Sequence, residues 1–230
     1  MHNPKQVAGR RAAEFVEQGM RVGLGTGSTV LFTLERLAER VREGLSITCV
    51  PTSVDTENKA RAMGIPLVDL AVVESLDLTI DGADEIDAAF NMIKGGGGAL
   101  LREKVVASIT RRQIAIVGAE KVVSRLGTFP LPIEVVPFAR GVIHRALTRR
   151  GATASLRQGR DGVAYLTDNG NQILDCRFPG GISDPASLEL ELDQLPGIVE
   201  TGLFVGLAHV LVIGHADGSV EVRERPPAGG

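Results

Sequence analysis

Tryptophan is absent from these 230 residues, tyrosine occurs once, and aromatic residues make up only 3% of the chain. With so few rings, no stacking platform for unpaired bases can be assembled. An excess of positive charge is also missing. The 25 Lys and Arg stand against 28 Asp and Glu, for a net charge of −3, and basic residues such as Arg10-Arg11 and Arg149-Arg150 are scattered, so neither nucleic acid nor an anionic membrane has a footprint here. The two cysteines, Cys49 and Cys176, are too few for a disulfide framework and match no metal or redox spacing. They read as buried thiols in a reducing compartment. No apolar run approaches the ~20 residues of a membrane span, and Met1-His-Asn-Pro-Lys5 lacks an apolar signal core. A soluble, cytoplasmic protein is expected, with a mass of 24.3 kDa that suffices for one large domain, or one large and one small.

Glycine, by contrast, is abundant, with 28 residues, and two clusters of it fall where chemistry is expected. In Met20-Arg-Val-Gly-Leu-Gly-Thr-Gly-Ser-Thr29 an apolar strand runs into a glycine turn and then a helix with apolar residues at Val30, Leu31, Leu34 and Leu37. A strand, a glycine turn and a helix amino end leave N–H groups free for an anion, and the hydroxyls of Thr26, Ser28 and Thr29 add donors. A phosphate fits. No Gly-Lys-Ser/Thr closes the turn, and Gly23, Gly25 and Gly27 are spaced differently from a dinucleotide fingerprint. The following strand ends in Pro51-Thr52, where a nicotinamide site would place an acid for the ribose.

The second cluster joins Asp81-Gly-Ala-Asp-Glu-Ile-Asp87 to Lys94, four glycines at 95–98, and Arg102-Glu-Lys104. Leu76-Asp-Leu-Thr-Ile80 reads as a strand, which puts Asp81 and Asp84 on the loop at its carboxyl end, where open α/β sheets bind ligands. The glycines clear side chains from the next turn so that amides can approach a ligand oxygen. Glu103 then falls early in a helix, where the dipole favours a carboxylate. A divalent metal on Asp81, Asp84, Glu85 and Asp87 is the rival reading. A calcium loop starting at Asp81 would need Gly where Ile86 stands and a ligand at Met92, and Lys94 would repel a cation; no metal or other cofactor is expected.

Read in order, the chain alternates strand and helix. A helix runs from Asn3-Pro4 to near Gly19, a strand over 20–25, a helix over 28–42, a strand over 46–50 and a helix from Ser53 to about Met63. Short strands follow near 66–68 and 76–80, then a helix from Ala99 and a strand over 113–117. This is an α/β pattern, a mostly parallel Rossmann-like sheet with helices on both faces. After Phe129-Pro-Leu-Pro132 the order becomes β-α-β-β-α-β, a small ferredoxin-like α+β domain inserted before Val210-Leu-Val-Ile213 rejoins the large sheet. The expected domains are 1–128 with 203–224 as a large catalytic domain and 129–202 as the small one, with 225–230 a frayed tail.

Taken together, Gly25-Thr-Gly-Ser-Thr29, Asp81-Gly-Ala-Asp-Glu85, Lys94-Gly-Gly-Gly97, Arg102-Glu-Lys104, Phe129-Pro-Leu-Pro-Ile-Glu-Val135 and Pro196-Gly-Ile-Val199 resemble the type A ribose-5-phosphate isomerase family, in register along nearly the whole chain. The resemblance implies interconversion of ribose 5-phosphate and ribulose 5-phosphate without a metal, by a homodimer or homotetramer. It makes Thr26, Gly27, Ser28 and Thr29 the substrate-binding turn. Asp81, Gly82, Ala83 and Asp84, with Lys94, Gly95, Gly96 and Gly97, become the sugar-binding and ring-opening loops. Glu103 becomes the proton acceptor, Lys121 a further substrate contact, and Lys5 a residue that reaches the phosphate. The chain departs from the family pattern in a fourth glycine, Gly98, and in Gly118-Ala-Glu-Lys121.

The residue chemistry agrees. Aldose–ketose isomerisation needs one base working at C2 and C1, which Glu103 supplies, and donors for the enediolate oxygen, which Lys94 and the amides at 95–97 supply. The histidines His2, His144, His209 and His215 lie outside every motif and read as structural or solvated. A sugar-phosphate sensor would need a DNA-binding helix pair, a coenzyme A transferase would need room for the coenzyme, and an amino-sugar phosphate isomerase or deaminase would want a histidine in the site.

Overall fold

The first helix begins where Asn3 and Pro4 dictate. The Asn3 side chain accepts from the Lys5 amide at 3.1 Å, and proline occupies the first turn, where its missing N–H has no helical partner to lose. The computed structural model describes residues 2–226. Its elements are α1 (Pro4–Ala13), β1 (Arg21–Leu24), α2 (Ser28–Arg42), β2 (Thr48–Pro51), α3 (Val54–Ala62), β3 (Leu78–Gly82), β4 (Glu85–Ile86), β5 (Met92–Ile93), α4 (Leu100–Ser108) and β6 (Gln113–Gly118). They continue with β7 (Leu131–Val135), α5 (Arg140–Arg149), β8 (Thr153–Leu156), β9 (Gln172–Arg177), α6 (Pro185–Asp193), β10 (Ile198–Thr201), β11 (Leu203–Phe204), β12 (Val210–Gly214) and β13 (Val220–Glu224).

The chain divides into two compact units, the first comprising Met1–Ala83, Arg102–Val122 and Leu207–Gly230. Its sheet has the order β13-β12-β6-β3-β1-β2, parallel throughout except for the edge strand β13. Alternation assigns the faces. Val22, Leu24, Leu78, Ile80, Ile114, Ile116, Val210 and Val212 pack with Ala8, Ala12, Leu34 and Leu37 of α1 and α2. Gly23, between Val22 and Leu24, looks the other way, and a Cβ there would lie 2.8 Å from Val106 of α4. Helices therefore cover both faces, which is why β6 is buried along its whole length. Each fully buried Leu or Ile of this core contributes roughly 1.5–3 kcal/mol. At Gly9 the α1 backbone comes so close to α2 that a Cβ would stand 2.7 Å from the Thr29 carbonyl oxygen. The Thr33 hydroxyl donates to the Gly9 carbonyl at 3.1 Å across the same junction.

The second unit comprises Asp84–Leu101 and Val123–Gly206. Within it the chain order β7-α5-β8-β9-α6-β10 gives a four-stranded sheet of order β10-β7-β9-β8 with every neighbouring pair antiparallel. This is the ferredoxin-like arrangement, and β12 and β13 follow it in the chain as expected. Leu131, Ile133 and Val135 of β7 pack with Leu174 and Cys176 of β9, Ile143 and Leu147 of α5, and Leu192 of α6. A second, three-stranded sheet has the order β11-β5-β4, and through it residues 84–101 associate with 123–206.

Several expectations need correction. The strand near 66–68 is a single bridge from Cys49 to Leu67, since Pro66 has no N–H to extend a ladder. The first helix stops at Ala13 rather than near Gly19, with the Arg40 guanidinium donating to the Ala13 carbonyl and Val16 buried in the turn beyond. Of the tail expected from 225, Arg225 donates its amide to His209 O at 2.8 Å; residues 227–230 lie outside the described residues. Among the described residues no helix is long and apolar enough to cross a membrane.

Candidate active site

In the first unit, the turn after β1 is fastened to the end of β3. The Gly25 amide donates to Ile80 O at 2.9 Å, and the amides of Thr26 and Gly82 both donate to Asp81 Oδ1, at 3.0 and 2.7 Å. Asp81 is only 1% exposed. It lies within β3 rather than on the loop beyond, because the pairing with β6 continues past it, Asp81 opposite Ala115 and Gly82 opposite Ile116. A Cβ on Gly25 would stand 2.1 Å from Asp81 Oδ1 and 2.6 Å from its Cα, so glycine is what allows the carboxylate to receive the turn. The Thr26 hydroxyl is 2.9, 2.8 and 3.1 Å from those of Thr52, Ser53 and Thr56. It belongs to a hydroxyl cluster under the turn, which Thr56 ties to Gly25 O at 2.8 Å.

The outward side of the turn is different. Gly27 precedes α2 with φ +117° and ψ −179°, a combination open to glycine and hostile to other residues. Ser28 is exposed, and Lys5 Nζ donates to its Oγ at 3.0 Å. An ammonium group, a hydroxyl and the amino end of a 15-residue helix thus meet at one point, as an anion requires. Glu103, 4% exposed, lies on the first turn of α4. Lys121 lies in a short 3₁₀ turn after β6 and donates Nζ to Ala83 O at 2.9 Å.

In the second unit, Asp84 and the glycine loop are joined. The Asp84 amide donates to Ile93 O at 2.8 Å, and its Oδ2 accepts from the Gly96 amide at 2.7 Å. A Cβ on Gly96 would stand 2.6–2.9 Å from three atoms of that carboxylate. Of the three amides expected to face a ligand at 95–97, that of Gly96 therefore has an acceptor within the protein, the Asp84 carboxylate. Gly95 has φ +97° and Gly98 φ +82°, and the Gly98 amide closes the turn on Gly95 O at 2.9 Å. Lys94 is 2% exposed. Its amide donates to Gly202 O at 2.9 Å, and its ammonium lies 5.3 Å from the centre of the Phe204 ring, within cation–π range.

Two residues at this loop escaped the sequence reading. Arg157 Nη1 donates to the carbonyls of Gly95 and Gly96 at 2.8 and 3.2 Å, and Arg157 is ion-paired with Asp175 of β9. The Tyr165 ring packs on Gly98, where a Cβ would stand 2.3 Å from its Oη. Burial and then the charge of Asp168 raise the Tyr165 pKa above its ordinary value. Arg157 directly follows β8 and Asp175 lies on the neighbouring β9, close enough to pair diagonally.

The carboxylates of the metal reading take amides from separate segments. Glu85 accepts from Gly127 and Phe129 at 2.7 and 2.6 Å, and Asp87 accepts from Ala89 and Asn91, both at 2.9 Å. Both cysteines are buried, and burial pushes each thiol pKa up to about 12. His209 Nδ1 accepts the Gln113 amide at 3.1 Å, His144 Nε2 lies 3.1 Å from Ala154 O, and His215 stands 3.8 Å from Glu221. These partners belong to the scaffold.

Residues 48–218 match the family model of ribose 5-phosphate isomerase A, also called phosphoriboisomerase A. The ribose-5-phosphate isomerase A of Listeria innocua is 49% identical over 222 residues, covering 96% of this chain and 99% of that protein. The one from Gloeobacter violaceus is 53% identical over 220 residues, covering 95% and 94%. A solved D-ribose-5-phosphate isomerase in complex with phospho-erythronic acid superposes with a TM-score of 0.93 at 38% identity, covering 97% of this chain and all of that one. The anion turn and the glycine loop thus sit in a fold and a sequence shared along almost the entire length, and the chain belongs to the ribose 5-phosphate isomerase A family.

Proposed function

We propose a proton-transfer mechanism for the isomerisation of ribose 5-phosphate to ribulose 5-phosphate that family membership assigns to this chain. The observation that carries it is burial. Asp81, Lys94 and Glu103, three charged residues of the sequence motifs, are 1%, 2% and 4% exposed, a state that such side chains rarely occupy without a specific task or partner. Glu103 is the base. It takes the C2 proton of the open aldose and returns it at C1, while the hydroxyl proton moves from O2 to O1 and the carbonyl passes from C1 to C2. Lys94, with the amides of Gly95 and Gly97, stabilises the enediolate oxygen. Asp81 and Asp84 bind sugar hydroxyls and open the ring. Gly82 and Ala83 supply the backbone that links the two aspartates.

Gly27, Ser28, Thr29 and Lys5 take the phosphate, and Thr26 shapes their turn through its hydroxyl cluster. Support comes from the Lys5–Ser28 contact at the start of α2 and from the solved relative that holds phospho-erythronic acid. Lys121 is a further substrate contact beside Ala83. All these groups fall within 1–128, the segment expected with 203–224 to form the catalytic domain. The mechanism uses no metal or cofactor, and the enzyme works in the cytoplasm as a homodimer or homotetramer, as the resemblance implies; sedimentation of the purified protein reads the oligomeric state.

Glu103→Gln tests the base. It should fold and bind ribose 5-phosphate yet lose at least ~10²-fold in kcat, and in D₂O it should put no deuterium on C1 or C2. Near-normal turnover in this variant would move the base to Asp81 or Asp84. Turnover lost in EDTA and restored by Mg²⁺, Mn²⁺ or Zn²⁺ would replace proton transfer by a metal-assisted route.

A further inference from the structure

We infer that Arg157, held by Asp175, is a positioning residue for the isomerase reaction, one that sets the orientation of the glycine-loop amides from the ferredoxin-like unit. The inference rests on the reading that Lys94 to Gly97 belong to the catalytic site. Its basis is the planarity of the peptide bond. In a trans peptide the carbonyl and the N–H of one plane point in opposite directions. The plane joining Gly95 to Gly96 is gripped at both ends, its carbonyl by Arg157 Nη1 at 2.8 Å and its N–H by Asp84 Oδ2 at 2.7 Å. Rotation of that plane would break two charge-assisted hydrogen bonds at once.

The next plane follows the same logic. The Gly96 carbonyl also accepts from Arg157 Nη1, at 3.2 Å, so the Gly97 N–H is turned to the side away from the guanidinium. Two successive carbonyls drawn one way leave two successive amides facing the other way, the arrangement that makes a backbone concavity for negative charge. One of those amides holds Asp84, and the other, on Gly97, is a donor for the enediolate oxygen. Glycines lack the side-chain restraints that would select this geometry unaided.

Arg157 is itself fixed. It follows β8, its amide donates to Ile173 O at 2.9 Å, and Nε donates to Asp175 Oδ2 at 2.9 Å. The pair is mostly buried, with side-chain exposures of 14% and 20%. The planar guanidinium serves the two carbonyls through Nη1 while Nε and Nη2 grip the carboxylate bidentately, a fixed fork that the point charge of an ammonium group does not reproduce.

The test is steady-state kinetics on Arg157→Ala, Arg157→Lys, Lys94→Ala and Glu103→Gln in the full-length protein. Arg157→Ala should lower kcat by about 10- to 100-fold, the scale of a misplaced catalytic donor, with KM for ribose 5-phosphate little changed. Methylguanidinium chloride should restore part of the lost kcat, and an equal concentration of NaCl should not. If Arg157→Ala does not fold, Arg157→Lys carries the test, with a lowered kcat at unchanged KM and a native circular dichroism spectrum. Wild-type kcat in a folded Arg157 variant, with Lys94→Ala and Glu103→Gln inactive, would overturn the inference and leave the mechanism standing. Wild-type kcat in both Arg157 and Lys94 variants would remove the inference together with the catalytic role of the loop. A kcat loss that only tracks the unfolded fraction, without guanidinium rescue, would also overturn it.

Discussion

The anion turn of the first unit and the glycine loop of the second use the same two ingredients, glycine backbone and an aspartate that receives an amide, yet they are held in different ways. The turn is held by its neighbours in the sheet. Asp81 is itself a residue of β3, and the amides it receives come from the end of the adjoining strand and from the next residue. The loop is held by side chains, with Asp84 on one side and Arg157, 62 residues further along the chain from Gly95, on the other. A site element built into strand register is fixed as firmly as the sheet. One fixed by side chains can be loosened without disturbing the fold.

The sharpest way to break this comparison is a matched pair of substitutions, Gly25→Ala and Gly96→Ala. Neither glycine has a positive φ, so alanine's backbone is acceptable at both and only the methyl group matters. At Gly25 it meets the Asp81 Cα at 2.6 Å as well as the carboxylate, and backbone in a sheet cannot step aside. Gly25→Ala should lose activity and also destabilise the protein by about 1–3 kcal/mol, the usual cost of overpacking. At Gly96 the three atoms nearest the methyl all belong to the Asp84 carboxylate, which can swing away. Gly96→Ala should lose roughly 10²-fold in kcat with a thermal midpoint close to wild type. Equal destabilisation in the two variants would show that the loop is as much a part of the scaffold as the turn.

The difference also decides what could be read from the sequence. The turn was legible because strand, glycines and helix are contiguous, so that the helix over 28–42 and the candidates Ser28 and Thr29 followed from one stretch. Lys5 came only with the family resemblance, and its arrival at Ser28 depends on the close approach of α1 and α2 at Gly9, which no local pattern reveals. The ferredoxin-like order was legible from strands of four to six residues separated by two helices. The two-residue strands β4, β5 and β11 were not, since two residues carry no periodicity. Arg157 and Tyr165 were hidden for a physical reason: a guanidinium that reaches two carbonyls leaves no trace in the sequence around the carbonyls.

A smaller effect is expected from Lys5→Ala, which removes a charged donor from the outward side of the turn while leaving the Asp81 anchor intact. A hydrogen bond to a charged group is worth about 1.5–3 kcal/mol, so KM for ribose 5-phosphate should rise by roughly tenfold or more, with kcat nearly unchanged. Added salt should narrow the gap between variant and wild type. A fall in kcat at constant KM would place Lys5 among the groups that act on the reacting carbons.

The smallest effect separates the two regions by pH. His209 supports the first unit, where its Nδ1 accepts the amide of Gln113 at the start of β6, and that bond requires the ring to be neutral. Burial, followed by the charge of Arg225, holds its pKa below the ordinary 6.5. The unfolded chain therefore binds the proton more readily than the folded one. The stabilisation is complete above pH 6.5 and is lost as pH falls from there through the folded pKa. Urea midpoints measured at descending pH should fall through this window in wild type and fall less steeply in His209→Asn, whose side-chain oxygen can accept the same amide without titrating. The contribution is modest because the ring is only partly buried. Identical pH profiles for the two proteins would mean that the start of β6 is held by its parallel neighbours without help from the His209 ring.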